Sequence, residues 1–555
     1  MSKYLSILLV VIFFSCKNDV KTDDARAPIS ESETVEGDAK DDLSAISTKD
    51  FREFKVLDSK VITKAEIWAE INPQMEDFTE SDYNSLKVWI MEEDMVSLQD
   101  HIANGKFTYE QLTKFYLYRI RKFDRENDLS LNSVISINPN VIKEAKEADE
   151  TDLEVAPHDI FGMPILLKDN INASRMATTA GAVALRDNIT DDAFIVKQLK
   201  SKGALILGKA NLSEWAYFFC GDCPSGYSAV GGQTLNPYGR RIIDTGGSSS
   251  GSGVSVAANF CAAAIGSETS GSILSPASSN SVVGLKPTIG LVSRTGVVPI
   301  SSTLDTTGPM TKTVMDNAIL MDAIFGEDKA DSKSLIILWE SGFYYEDLKS
   351  ATLTGKRFGA PKRLLEDSLY TRALDVLKAQ GATIVEIDEQ QLGLPNFLSL
   401  LNLDMKKDLP AYMDNYASKD IAQRTIQDFM TFNLKDSLVS MPYGQRLFKG
   451  IVDDKGDAEF LERIKDTLKT NGRKFFDTPM QSEKLDGFLS INNYHAGFAA
   501  VAEYPALTVP MGYKDNGTPM GLTFIAGRLG EKQLLEWAYV YEQASKARVA
   551  PKNYN

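Results

Sequence analysis

The sequence is poor in the side chains on which most hydrolytic and metal chemistry relies. Only three histidines occur in 555 residues, His101, His158 and His495. No H-E-x-x-H is present, and a zinc site built from several ligands has few candidates to draw on. No G-x-S-x-G is present either, which removes the nucleophile elbow that pairs a serine with a histidine. The four cysteines, Cys16, Cys220, Cys223 and Cys261, imply no disulfide scaffold, and a chain of this length needs none. Basic charge is in deficit: 60 Lys and Arg against 76 Asp and Glu leave a net charge of −16. That balance argues against nucleic acid as a partner, since phosphates recruit Lys and Arg. No internal repeat is present. If the chain is a hydrolase, its base is not expected to be histidine.

The first stretch with a clear signal is an address. Residues 1–16 read MSKYLSILLVVIFFSC, with Lys3 ahead of an apolar run from Leu5 to Phe14 too short to span a bilayer comfortably. Small Ser15 then precedes Cys16. The pattern resembles a bacterial lipoprotein signal, in which the cysteine becomes the lipid-modified first residue, although Phe13 stands where leucine is usual. An ordinary secretory signal or a simple membrane anchor is the alternative. Residues 17–50 are rich in Asp, Glu, Ser, Thr and Lys and nearly free of large apolar side chains. Such a segment cannot bury enough surface to offset its ordering entropy, so it reads as a flexible acidic tether. The expected protein is exported and lipid-anchored, with its folded part over residues 51–555.

Within that part, apolar residues recur at helical spacing, as in Ile67, Trp68 and Ile71, then Leu86, Trp89 and Ile90. FTYEQLTKFYLYRIRKFD, from Phe107, predicts an amphipathic helix capped by Thr108. The runs Met163–Leu167 and Ala204–Leu207 read as buried strands, with a helix over Asp191–Lys200 between them. Alternating strands and helices define an α/β layer architecture. From Thr245 to Pro287 glycine, serine and alanine dominate. A linker of that composition would not contain VSVAANFCAAAIG, which has to be buried, so the spacing predicts a tightly packed helix followed by a strand. Ser334–Leu338 and Ala382–Ile387 carry strand signals, and residues from Leu392 to Asp477 read as largely helical.

Three segments carry the chemistry: FGMPILLKDN (Phe161–Asn170), DTGGSSSGSG (Asp244–Gly253) and GSETSGSILSPASSNSVVGLKPT (Gly266–Thr288). Alone, each is weak. A lysine at a strand end is commonly a solvated charge, GGSSSG lacks the G-K-[ST] ending of a phosphate loop, and serines after Gly271 suit turns. In this order, and with GKANLSEW, GGQTLNPY, DTTGPM and YPALTVPMGY around them, they resemble the amidase signature family. Its bacterial peptide amidases are similar in GGQTLNPY, GGSSSGSG and GLVSRTGVVPIS. The resemblance implies an α/β fold with a central mixed β-sheet covered by helices on both faces. It further implies a catalytic set of Lys168 as base, Ser248 as bridging serine, held through a cis peptide bond, and Ser272 as nucleophile. The N–H groups of Thr269, Ser270, Gly271 and Ser272 would form the oxyanion hole. Ser270 departs from the family, which commonly has glycine there; backbone donation survives the change, but the pocket shape need not.

The chemistry stands independently of the resemblance. A serine hydroxyl is a poor nucleophile until a base removes its proton. At a reference pKa of about 10.4, roughly one lysine in a few thousand is neutral at pH 7, a deficit worth about 4–5 kcal/mol. Burial depresses a lysine pKa by up to about 5 units, and Pro164-Ile165-Leu166-Leu167 ahead of Lys168 would supply it. A hydroxyl both donates and accepts, so Ser248 can relay a proton between Lys168 and Ser272.

Other residues take bland readings first. Cys220 and Cys223 are half of a zinc site with no second half, and a local disulfide suits an exported protein; by resemblance their loop lies near the substrate entrance. Cys261 reads as core, and His495 as a packed or pocket-lining histidine. Arg294 fits a substrate carboxylate or a structural ion pair equally, and Asp169 and Asp305 are expected to support the site by hydrogen bonds. No metal or organic cofactor is implied. The expected substrate is a small carboxamide or an amidated peptide, with the membrane reached through the lipid anchor. Two rivals remain, both on this fold: the glutaminase-type subunit of a tRNA-dependent amidotransferase, disfavoured by export, and a non-catalytic binding lipoprotein, disfavoured by the intact triad.

Overall fold

The computed structural model describes residues 54–125, 128–151, 158–337 and 339–555. The expected signal, Cys16 and the acidic tether lie outside the described residues. Among those described, the strands are β1 (Val134–Ile137), β2 (Pro164–Lys168), β3 (Leu205–Ala210), β4 (Tyr227–Ser228), β5 (Gly232–Gln233), β6 (Ala263–Glu268), β7 (Val283–Lys286), β8 (Thr306–Thr311), β9 (Arg357–Pro361), β10 (Thr383–Ile387), β11 (Gly487–Ile491), β12 (Ala506–Tyr513) and β13 (Pro519–Ile525). β4 and β5 pair only with each other; the other eleven form one sheet in the order β1-β3-β2-β6-β8-β7-β12-β13-β11-β9-β10. The sheet is mixed: β3, β2 and β6 run parallel, as do β11, β9 and β10, and the central strands alternate in direction. β2, β3 and β6 are buried at every residue, so both faces of the sheet are covered there. Continuous apolar or small-residue runs, rather than alternating ones, are what that position requires.

The local readings hold where a periodic pattern is long. Thr108 caps the helix Tyr109–Ile120, exchanging hydrogen bonds with Gln111 in a capping box. The strand and helix between Met163 and Leu207 lie within a few residues of expectation, with β2 running on to include Lys168. The Gly/Ser segment is richer than a helix and one strand. It forms the helix Ser250–Ala257, β6, a short helix Leu274–Ser279 and β7.

Its composition follows from how closely it packs. The helix Ser250–Ala257 lies against the backbone that follows β3. A Cβ at Gly251 would fall 2.5 Å from the Asn211 nitrogen and 2.6 Å from the Ser133 oxygen, so no larger residue fits. The serines answer backbone groups that this packing excludes from water: Ser250 Oγ donates to the Gly246 carbonyl at 2.6 Å, and Ser252 Oγ to the Ile265 carbonyl at 3.1 Å.

One strand signal fails. Residues 334–337 form no strand; Leu338 lies outside the described residues. Leu335 and Ile337 pack onto the core while Ile336 stays 71% exposed, and the Leu335 N–H bonds to the Gly290 carbonyl of a loop. Alternation here marks a loop laid over the core, which has the same period as a half-buried strand.

Candidate active site

β2, β3 and β6 run parallel, so their carboxyl ends open on one edge of the sheet, where ligands of α/β folds commonly bind. Lys168 is the last residue of β2 and is fully buried. Its Nζ donates to Ser248 Oγ at 2.7 Å and to the Ser267 carbonyl at 3.0 Å. Burial pushes its pKa down from 10.5 to about 7, with the carboxylates of Asp305 and Glu268 pulling weakly the other way. A lysine held there is neutral in a large fraction of molecules near pH 7, and a neutral amine accepts protons.

Ser248 follows a cis peptide bond from Gly247 and is itself fully buried. The next residue ties the two serine segments together. The Ser249 N–H donates to the Ser272 carbonyl at 3.1 Å, and Ser249 Oγ donates to the Ser267 carbonyl at 3.0 Å. Ser272 is 9% exposed, whereas Ser248 and Lys168 have no exposure. Ser272 is therefore the one of the three that reaches toward solvent.

The turn that presents Ser272 is held by Glu268, a residue to which the sequence alone assigns no role. Its carboxylate accepts the N–H of Gly271 at 2.7 Å, of Ile273 at 2.7 Å and of Leu274 at 3.0 Å. Gly271 sits at φ +84, a conformation that favours glycine. Of the four N–H groups expected to form an oxyanion hole, that of Gly271 is engaged by Glu268. The N–H groups of Thr269, Ser270 and Ser272 have no acceptor among the described residues.

The two supporting aspartates are buried and bonded. Asp305 accepts Thr269 Oγ1 at 2.5 Å and the N–H groups of Ile300 and Ser301, each at 2.8 Å, and burial raises its pKa to about 6. Asp169 accepts the Thr179 hydroxyl and N–H and faces Lys209 Nζ at 3.5 Å; burial raises its pKa. Arg294 takes the structural role: its Nε donates to Asp331 at 2.8 Å, its Nη2 pairs with the same carboxylate, and its Nη1 binds the Ser302 carbonyl.

His495 is packed among Phe475 and Phe488, bonded to Ser490 Oγ at 2.6 Å and to Glu389. Cys220 and Cys223 form a disulfide, and Cys261 is buried and free, its thiol pushed up to about 12 by burial. Among the described residues no group of three or more His, Cys, Asp or Glu is placed to hold a metal ion.

Two clefts approach this region. A small one reaches Thr269, Glu268 and Asp305 past Asn170, Ala216 and Arg294. A wider one lies between Glu66, Ile71, Ile135 and Arg175 and touches Asp169 and Thr179; neither cleft is lined by Lys168, Ser248 or Ser272. The smaller cleft is the one that reaches the β6 end and the turn leading to Ser272, through Ser267, Glu268 and Thr269.

An α/β chain with this buried lysine and serine cluster is of the amidase type, and comparison with known proteins agrees. The Amidase family model matches residues 111–451. A probable amidase of Arabidopsis thaliana is 36% identical over 468 residues, covering 80% of this chain and 89% of that protein. A Glutamyl-tRNA(Gln) amidotransferase subunit of Microcystis aeruginosa is 31% identical, covering 81% of this chain and 96% of its own. Among solved structures, the native peptide amidase from Stenotrophomonas maltophilia superposes with a TM-score of 0.78 at 38% identity, covering 83% of this chain and 98% of that one. The chain belongs to the amidase family and is a hydrolase of amide bonds.

Because protonated Lys168 cannot accept a proton, kcat/KM on a carboxamide is expected to fall about tenfold for each pH unit below about 7 and to level off above it. Steady-state rates between pH 5 and 9 measure this; a flat profile across that range would remove Lys168 as the base.

Proposed function

We propose that the chain hydrolyses a neutral carboxamide by a relay from Ser272 through Ser248 to Lys168. The observation that supports it most is a fully buried lysine whose amine titrates at about 7 and lies 2.7 Å from the Ser248 hydroxyl. Lowering that pKa from 10.5 recovers roughly 5 kcal/mol that an ordinary lysine would add to the barrier at pH 7. Lys168 takes a proton from Ser248, which takes the proton of Ser272 as Ser272 Oγ bonds to the amide carbon. The carbonyl oxygen becomes an oxyanion that the N–H groups of Thr269, Ser270 and Ser272 stabilise. Collapse breaks the C–N bond, and the proton held on Lys168 returns through Ser248 to the departing nitrogen, which leaves as ammonia. Water then adds to the Ser272 ester by the same relay, releasing the carboxylic acid.

Within the amide substrates, a C-terminal peptide amide or another small carboxamide is favoured by the similarity to the Stenotrophomonas peptide amidase. The glutaminase-type subunit is the second reading, favoured by the likeness to the amidotransferase of Microcystis aeruginosa; co-purification with tRNA or a partner protein would support it. Ammonia release from N-acetylated amino acid amides and simple carboxamides tests the main reading. Ser272→Ala and Lys168→Ala are each expected to lower it by about 10³-fold or more. Release that persists in Ser272→Ala would sink the assignment of the nucleophile.

We further propose export with lipid attachment at Cys16. The Cys220–Cys223 disulfide fits that reading, since disulfides persist in oxidising compartments. Cys16→Ser is expected to move the protein from the membrane to the soluble fraction; unchanged fractionation would contradict the anchor.

A further inference from the structure

The loop between β11 and the helix Ala496–Ala502 is pinned on both sides of one side chain that has no hydrogen-bond partner among the described residues. Asn492, at φ +49, donates its N–H to the Gly521 carbonyl at 2.9 Å and accepts the Gly521 N–H on Oδ1 at 2.8 Å. His495 is fixed by Ser490, Glu389 and Arg363. Between them Asn493 uses its backbone carbonyl to accept the Ala496 N–H at 3.0 Å, while its half-buried carboxamide is the unpartnered group. That carboxamide is not pointing at solvent alone. A Cβ on Gly271, the residue before Ser272, would lie 3.0 Å from Asn493 Nδ2 and 3.5 Å from Ala496 Cβ. Ser270, on the other side of Gly271, faces the same wall: a Cβ on Gly497 would lie 3.8 Å from Ser270 Oγ and 3.1 Å from Leu394 Cδ1.

We infer that Asn493, with Ser270 beside it, is a specificity-determining residue that binds the amide group adjoining the scissile carboxamide. The inference rests on the amidase reading above. When the leaving group is ammonia, nothing beyond the scissile nitrogen remains to be recognised, so selectivity has to come from the acyl side. In an N-acylated amino acid amide the next amide nitrogen is two bonds from the carbon that Ser272 attacks, which suits a contact at Gly271. A carboxamide offers both a donor and an acceptor, and so matches the N–H and C=O of a secondary amide. Ser270, Gly271, Ala496, Gly497 and Leu394 carry no charge, and the nearby Glu268 carboxyl is occupied by the N–H groups of Gly271, Ile273 and Leu274, so a neutral amide is matched better than an ionised group.

The test compares kcat/KM for N-acetylphenylalaninamide and for 3-phenylpropionamide, which lacks the second amide. The ratio of the two is expected to fall about tenfold in Asn493→Ala, the size of a lost neutral hydrogen bond pair. It is also expected to fall in the isosteric Asn493→Asp, which keeps the shape but loses the donor. An unchanged ratio in both variants, whether the two rates drop together or neither drops, would overturn this inference and leave the amidase reading standing. Hydrolysis of neither compound by the wild-type chain would overturn the amidase reading and this inference with it.

Discussion

Everything chemical in this protein depends on one costly placement, an amine enclosed where water cannot reach it. Removing a cation from water is unfavourable by several kcal/mol unless a counter-charge or a proton loss relieves it. Among the described residues no carboxylate touches Lys168; its Nζ meets a hydroxyl and a carbonyl. The relief is therefore proton loss, which is what the proposed reaction requires of a base. Lys209, equally buried one strand away, shows the other solution, with Asp169 3.5 Å from its nitrogen. The two lysines differ in what faces them: burial lowers the pKa of both, and a carboxylate beside Lys209 works against that shift. Between pH about 7 and 10.5 the unfolded chain binds one more proton at Lys168 than the folded chain does. Its burial therefore weighs against folding at and below neutrality and relaxes as the pH rises toward 10.5.

The fold has to hold that arrangement rigidly, and it does so with backbone rather than with large side chains. β2 and β6 lie side by side and parallel, so Lys168 and the Ser267–Ser272 segment leave the sheet together. The Gly/Ser segment then folds back within bonding distance of β6, its serines answering carbonyl and N–H groups. Glu268 completes the frame by gathering three N–H groups of the turn that carries Ser272. Charge-assisted bonds of this kind are among the stronger ones available to a turn.

The family and the three segments that meet at the carboxyl ends of β2 and β6 were legible in the sequence because they are chemically unusual as a set and occur in a fixed order. So were the long amphipathic helix from Tyr109 and the buried strands on either side of Asp191–Lys200. The parts that were not legible depend on contacts between distant residues. Arg294 could be assigned to Asp331 only once the loop between them was seen to close. Glu268 looks like any acidic residue beside a turn until its oxygens are seen to face three N–H groups. Asn493 lies more than two hundred residues from Gly271, and no local pattern marks it. Leu335 and Ile337 misled for a different reason, since a loop resting on a core can share the two-residue period of a strand.

The claim most exposed to direct measurement is the protonation state of Lys168, independent of any substrate. In protein carrying [13Cε, 15Nζ]-lysine, the resonance lost in Lys168→Arg identifies this side chain, and its chemical shift can be followed against pH. The account predicts a midpoint near 7, well below the value of about 10.4 usual for a solvated lysine. A side chain that stays protonated beyond pH 9 would contradict it, and would leave Ser272 without the base on which the proposed reaction depends.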